Sequence, residues 1–491
     1  MQRRDMLKTG LASAGLLAGA ATSVQAAAPK QNKTQNWDVV VVGAGFAGMC
    51  AALEAAEQGA KVVLLEKMGR PDGTTVYSSG WIAAVGSRFQ KGHPEDNEEA
   101  FFNDMMKLSG YRSDPELIRV YAREAGQGID WLADHGTPFY LWENLPAPEL
   151  SRCLISPGDG ITGGSKLIRC LMAALEKKGV PIHYNAKAVE LIHDDCYNVE
   201  GVSCITPKGR VNYKAKGGVI LTTGGYGANV AMVTQYIGPW ASRLIVRGSP
   251  WITGENIIMA NQVMAKLVNM DQFYAGPITP TGHANPSPLM HAGYGIQVNT
   301  QGKRFLPETW LQVPKAKAIA ERTPDNMSYM LIGQDADNNA NILTNTIKRF
   351  DRLGYKVFKG ETIEEVAKAA GVPPKALVET VKEFNKAVKA GKAKELDPPY
   401  DYDEPHALET GPYYMIAAAG GMASTFGGPK IDADARVVNF ENQPIPGLYA
   451  AGAAAGGVWY QDDIGGNQLG GGMVFGRVAG RHAAKRAKTR A

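Results

Sequence analysis

The chain contains no C-x-x-C and no C-x-x-C-H, so it shows neither a haem-attachment motif nor an iron–sulfur motif. Its five cysteines stand apart, at Cys50, Cys153, Cys170, Cys196 and Cys204. Cys196 and Cys204 could pair, but their spacing does not establish it. No metal site is read. Electrons for any redox work would therefore come from a separate partner or from the substrate. Charge is scarce as well: the net +4 is small for 491 residues, and half of it comes from Arg3, Arg4, Asp5 and Lys8. No basic face for nucleic acid follows, and the basic run 485–490 reads as a solvated tail. The apolar run at 11–21 is too short and glycine-rich for a stable membrane span.

Glycine is abundant, with 57 residues in clusters rather than at a fixed period. Clustering of this kind suggests backbone lying close to a ligand. The N-terminus opens Arg3-Arg4-Asp5-Met6-Leu7-Lys8, continues through the apolar stretch, and reaches Val24-Gln25-Ala26, a small-x-small cleavage site. Residues 1–26 read as a twin-arginine signal peptide, which implies export of the folded chain to the periplasm. The length favours a main domain with an inserted one.

Trp37-Asp38-Val39-Val40-Val41-Val42 is an apolar run of strand length leading into Gly43-Ala44-Gly45-Phe46-Ala47-Gly48. A helix is expected over 49–59, then the strand Lys61-Val62-Val63-Leu64-Leu65 ending at Glu66. Strand, G-x-G-x-x-G, helix, strand and acid together form the dinucleotide fingerprint. The first glycine makes the turn, the second admits the pyrophosphate, and the third packs helix on strand. Glu66 is placed to accept ribose hydroxyls. The pattern does not separate NAD from FAD, but the far end of the chain does. Gln443-Pro444-Ile445-Pro446-Gly447-Leu448-Tyr449-Ala450-Ala451-Gly452 is a turn, a strand and a glycine. In two-dinucleotide flavoproteins such a segment returns the last strand beside the first. A further strand, Gly218-Val219-Ile220-Leu221-Thr222, stops at Thr223-Gly224-Gly225. These widely separated glycine stops suit one extended cofactor, FAD.

On these motifs the chain resembles the fumarate reductase/succinate dehydrogenase flavoprotein superfamily. It looks closest to the exported, soluble branch with urocanate reductases and 3-ketosteroid dehydrogenases. The resemblance covers residues 37–484 and includes Glu66-Lys67, Gly73-Thr74-Thr75, Ser79-Gly80, Gly254-Glu255, Gly465-Gly466-Asn467 and Phe475-Gly476-Arg477-Val478-Ala479-Gly480. It implies an α/β fold: a Rossmann-like FAD-binding domain at 37–275 and 415–491, with an inserted α+β capping domain at 276–414. Residues 361–394 suit such a cap, as two amphipathic helices around Pro373-Pro374. Non-covalent FAD contacts are expected from Gly43, Gly45, Phe46, Ala47, Gly48, Glu66, Lys67, Thr74, Thr75, Ser79 and Gly80. Val189, Thr223, Gly224, Gly225, Glu255, Gly452, Gly466, Asn467, Gln468 and Leu469 complete the set. Thr74 stands where relatives often carry asparagine, and Ala453 where they carry glutamate.

The substrate half departs from fumarate reduction. The family's clamping histidines fall on Ser424 and Gly276, and its clamping arginine on Asp463. The proton-donating arginine falls on Gln312, and its relay partners on Pro288 and His291. A carboxylate about 4 Å from a substrate carboxylate costs roughly 1–4 kcal/mol, and glutamine is no acid or base at neutral pH. Fumarate is therefore disfavoured. The catalytic candidates are Asp463, His291, Tyr460, Tyr294 and Gln312, with Trp459 and Tyr460 as pocket lining or core. The leading expectation is reduction of an activated C=C bond, with electrons from a separate c-type cytochrome or a quinol-linked donor. The alternatives are dehydrogenation of a bulky ketone, as in 3-ketosteroid dehydrogenases, and a non-catalytic flavin electron carrier.

Overall fold

The computed structural model describes residues 33–143, 151–158, 160–281, 295–334, 342–462 and 464–490. The architecture is mixed α/β. Its larger sheet has eight strands and orders Arg436–Val438, Pro444–Ala450, Gly209–Leu221, Lys33–Val42, Val62–Leu65 and Ile182–His183. The remaining two strands, Lys187–His193 and Val199–Thr206, extend from Gly209–Leu221. The central strands are parallel. Val39–Leu65 contributes near-continuous apolar strands because parallel strands are covered on both faces, and Val39, Val40, Val41, Val63, Leu64 and Leu65 are all buried completely.

One detail differs from the expectation. The strand Pro444–Ala450 lies beside Gly209–Leu221 (Leu448 opposite Val219), which separates it from the first strand. It still reaches the cofactor end of the sheet, because a Cβ on Gly452 would stand 2.9 Å from Ala47 Cβ. The basic run 485–490 is also no tail. The final helix, Asn467–Thr489, runs through it, and Arg486 Nη1 donates to Lys216 O at 2.9 Å. This helix packs against Phe46–Glu57, where Arg477 Nε and Glu54 Oε2 pair at 2.7 Å. Cys196 is exposed and Cys204 buried, and the two form no disulfide.

The second sheet is organised by one long strand, Tyr413–Thr425. Its first half pairs with Ser328–Ile332 and Val357–Gly360, and its second half with Phe273–Ile278 and Ile245–Val246. A separate apolar core gathers Ile296, Leu331, Val366, Leu377, Phe384, Tyr400 and Met415. The helices Ile363–Ala370 and Pro374–Lys389 supply one side of that core, as their periodicity predicts. No helix among the described residues is long and apolar enough to cross a membrane.

Candidate functional site

Each glycine of the first turn has a separate physical reason. Gly43 adopts φ +109°, and a Cβ there would meet Thr222 O at 2.5 Å. A Cβ on Gly48 would stand 2.0 Å from Gly43 O and 2.5 Å from Thr222 Oγ1, so the helix Phe46–Glu57 lies directly on strand backbone. Gly45 is the opposite case, with nothing within 4 Å of its Cβ position. It opens onto space at a helix N-terminus whose amides receive no side-chain cap. Such amides stabilise anionic oxygens.

Glu66 is buried beneath this turn. Its Oε2 accepts the Ala44 N–H at 2.9 Å and its Oε1 the Met68 N–H at 2.8 Å. Burial raises its pKa against the pull of those donors and of Lys67. A carboxylate has about four acceptor positions, so capacity remains for a ligand hydroxyl. Lys67 Nζ pairs with Glu255 Oε1 at 2.8 Å, and the Thr253 hydroxyl links the two. Burial works to raise the Glu255 pKa, but the Lys67 hydrogen bond and charge outweigh it and hold it low. Val189 falls at a bulge in its strand ladder, between Ala188 and Glu190.

Buried polar atoms in this region that lack hydrogen-bond partners among the described residues include Glu255 Oε2 and Asn467 Nδ2. The other Asn467 atom, Oδ1, accepts the Tyr121 hydroxyl at 2.9 Å. Orphaned buried atoms are rare, and a bound polar group is one way to satisfy them. Gly466, just before Asn467, has φ +95°, and a Cβ there would meet Ala83 N at 2.7 Å. Gly224 and Gly225 follow the strand Gly209–Leu221, and Thr425 Oγ1 accepts the Tyr226 N–H at 3.2 Å beside them.

The second sheet begins next to Thr74. Thr74 Oγ1 accepts the Ser249 N–H at 3.2 Å. Arg247 lies just upstream, and its N–H donates to Met422 O at 2.8 Å. Arg247 Nη1 is buried without a hydrogen-bond partner among the described residues. A Cβ on Gly276 would stand 2.6 Å from that Nη1 and 2.6 Å from Gln312 Oε1. A larger side chain at 276 would therefore have to displace the ends of the Arg247 and Gln312 side chains. On the helix Gln312–Arg322, one turn beyond Gln312, Lys315 is fully buried. Burial pushes its ammonium down to about 7, against the opposing pull of Glu308.

The structure thus brings Gln312 and Gly276 together. Ser424 is buried and lies opposite Tyr274 in the adjoining ladder. Trp459 is core, edge-on to Tyr121 with centroids 5.3 Å apart. The Tyr460 ring carries the Arg112 guanidinium at 4.1 Å. Asp462 is buried after the left-handed Gln461, at φ +63°. His291, Tyr294, Pro288 and Asp463 lie outside the described residues.

The family described as FAD binding domain matches residues 38–469. The chain belongs to it. This flavoprotein is 34% identical to urocanate reductase of Eggerthella lenta over 465 residues, covering 92% of this chain and 75% of that protein. Among solved structures it is similar to the open conformation of a flavocytochrome c3 fumarate reductase, at a TM-score of 0.79 and 29% identity, covering 99% of this chain and 82% of that one. It is also similar to 3-ketosteroid-Δ4-(5α)-dehydrogenase of Rhodococcus jostii, at a TM-score of 0.74 and 27% identity, covering 95% and 99%. The chain is an FAD-dependent oxidoreductase, and the open Gly45 face with the two orphaned polar atoms fits that cofactor.

Two residues of this flavoprotein escaped the sequence reading, Arg247 and Lys315. Neither carries a motif. Arg247 is placed by strand pairing far away in sequence, and Lys315 looks like any polar helix residue. The Glu66 geometry gives a first expected result. In Glu66→Gln an amide NH2 replaces one oxygen and opposes a backbone N–H. FAD affinity should fall about tenfold or more, with a loss of about 1–3 kcal/mol of stability. Fluorescence titration of FAD into the apoprotein measures the first.

Proposed function

We propose that this chain is an exported reductase that saturates an activated C=C bond of an organic acceptor other than a dicarboxylate. The observation that carries the reading is the contrast between the two halves of the site. The FAD half retains its glycine turn and Glu66, whereas the substrate half holds Gly276 and Gln312 in place of a histidine and an arginine. The names of the relatives support a reductase.

In this reading residues 37–275 and 415–491 form the FAD-binding domain, and 276–414 cap it. Gly43, Gly45 and Gly48 with the amides of Phe46 and Ala47 would hold the pyrophosphate, and Glu66 the adenosine ribose. Lys67 keeps Glu255 charged and oriented. Thr74, Thr75, Ser79, Gly80, Val189, Thr223, Gly224, Gly225, Gly452, Gly466, Asn467, Gln468 and Leu469 would complete the cradle. When bound, FAD supplies hydride chemistry. Gln312 orients substrate by hydrogen bonding and moves no proton. The proton would come from the capping side, with His291, Tyr294, Asp463 and Tyr460 as candidates. The leader supports a periplasmic location, and a separate c-type cytochrome or quinol-linked donor would supply electrons.

Anaerobic mixing of chemically reduced holoprotein with a panel of enoates and enones is the test. Flavin reoxidation by at least one of them is expected, and by fumarate poorly if at all. Reoxidation by none sinks the reading. The likeness to a ketosteroid dehydrogenase favours a second reading, dehydrogenation of a bulky ketone. Bleaching of oxidised flavin by substrate alone would select it.

A further inference from the structure

We infer that Arg247 is the anion anchor of the substrate pocket and takes the carboxylate of an unsaturated monocarboxylic acid. The inference rests on the reductase reading and narrows its substrate class.

The argument begins with two glycines. Gly276 and Gly421 lie directly opposite each other in the antiparallel ladder. A Cβ on Gly276 would stand 2.6 Å from Arg247 Nη1, and one on Gly421 would stand 3.4 Å from Arg247 Cδ. Together the pair forms a side-chain-free bed across which Arg247 extends from the neighbouring strand. Its root is fixed by the bond from its N–H to Met422 O at 2.8 Å. The bed also takes Ile278, whose Cδ1 would stand 2.6 Å from a Cβ on Gly421, and Gln312, so Arg247 shares it with one apolar and one amide side chain.

What the bed presents is a charge without a counter-charge among the described residues. Guanidinium stays protonated at any working pH, and buried charges are normally paired. Among the described residues Arg247 Nη1 is buried with no hydrogen-bond partner, and none forms an ion pair with Arg247. The group beside it at the Gly276 position is the neutral Gln312 amide. A planar carboxylate matches the guanidinium fork in charge and geometry. One cation and one amide suit one carboxylate rather than two. The same segment continues through Gly248 and Ser249 to Thr74, so the anchored group lies beside the cofactor cradle. Conjugation of the carboxylate to the C=C bond would bring the reacting carbons to that side.

The experiment uses FAD-loaded wild type, Arg247→Gln, Arg247→Lys and Gly276→Ala. Saturated monocarboxylates from propanoate to 3-phenylpropanoate, each with its primary amide, are titrated by calorimetry, since none can be reduced. In the wild type at least one carboxylate should bind about 30-fold or more tightly than its amide. Arg247→Gln should lose about 100-fold for the carboxylate and little for the amide. Arg247→Lys should retain part of the preference. Gly276→Ala should lose most of it by displacing the guanidinium, which keeps the test intact if Arg247→Gln fails to fold. Flavin absorbance confirms that each variant holds FAD. No carboxylate preference in the wild type, or an unchanged preference in Arg247→Gln and Gly276→Ala, overturns the anchor. Carboxylate preference without reoxidation of reduced flavin by any enoate leaves the anchor standing and removes the reductase reading.

Discussion

Gly48→Val should yield a protein that purifies without flavin, whereas Gly45→Ala should yield a folded protein that holds FAD weakly. The two substitutions lie three residues apart and test different physics. At Gly48 a Cβ would fall 2.0 Å from Gly43 O and 2.5 Å from Thr222 Oγ1. Neither neighbour is free to retreat. Gly43 O belongs to a turn at φ +109°, and the Thr222 hydroxyl donates to Val42 O at 2.9 Å and to Gly43 O at 3.0 Å. The helix Phe46–Glu57 must therefore tilt off the sheet, taking its N-terminal amides with it. Overpacking of this kind costs about 1–3 kcal/mol or more. At Gly45 a Cβ meets nothing within 4 Å among the described residues beyond its chain neighbours, and the backbone at φ −79° suits any residue. Only a bound ligand would feel the added methyl. The ratio of flavin to protein absorbance and the apoprotein melting temperature separate the two cases. Full flavin occupancy in both variants would refute the placement of the pyrophosphate.

The strand–turn–helix geometry around Gly43, Gly45 and Gly48 was legible in the sequence because it is local. The strand, turn, helix, strand and Glu66 all lie within about thirty residues, and each residue acts on near neighbours. The substrate half is assembled differently. Arg247 lies against a glycine pair contributed by Phe273–Ile278 and Tyr413–Thr425, strands far apart in sequence. Reading Gly276 alone showed a histidine missing. Only the ladder shows that an arginine from another strand occupies the space. The strand order at the edge of the main sheet was illegible for the same reason, because Pro444–Ala450 selects its neighbour by tertiary packing. The basic run 485–490 is exposed at Lys485, Lys488 and Arg490, as its charge suggested, but it forms the end of the final helix rather than a tail.

Lys315→Met should raise stability at pH 6 by about 2–4 kcal/mol and flatten the dependence of stability on pH. Lys315 is fully buried on the helix Gln312–Arg322, and burial lowers its pKa from 10.5 to about 7. Glu308 pulls the other way, but its carboxylate is already engaged by Arg304 at 2.6 Å and by the Gln297 N–H at 3.0 Å. Between about 7 and 10.5 the unfolded chain binds the proton and the folded chain does not, so wild-type stability rises with pH across that window. Below about 7 both states are protonated and the full cost of the buried ammonium is present; above 10.5 both are neutral and the cost is gone. Methionine has similar length and no charge, so the variant lacks this slope. Urea midpoints for both proteins at pH 6, 8 and 10 should converge as pH rises, and parallel profiles would show that burial does not govern this lysine. Turnover of the same variant distinguishes two roles for a residue one turn from Gln312. A purely structural lysine leaves kcat unchanged, whereas one that supplies a proton near neutral pH makes the more stable protein the slower enzyme.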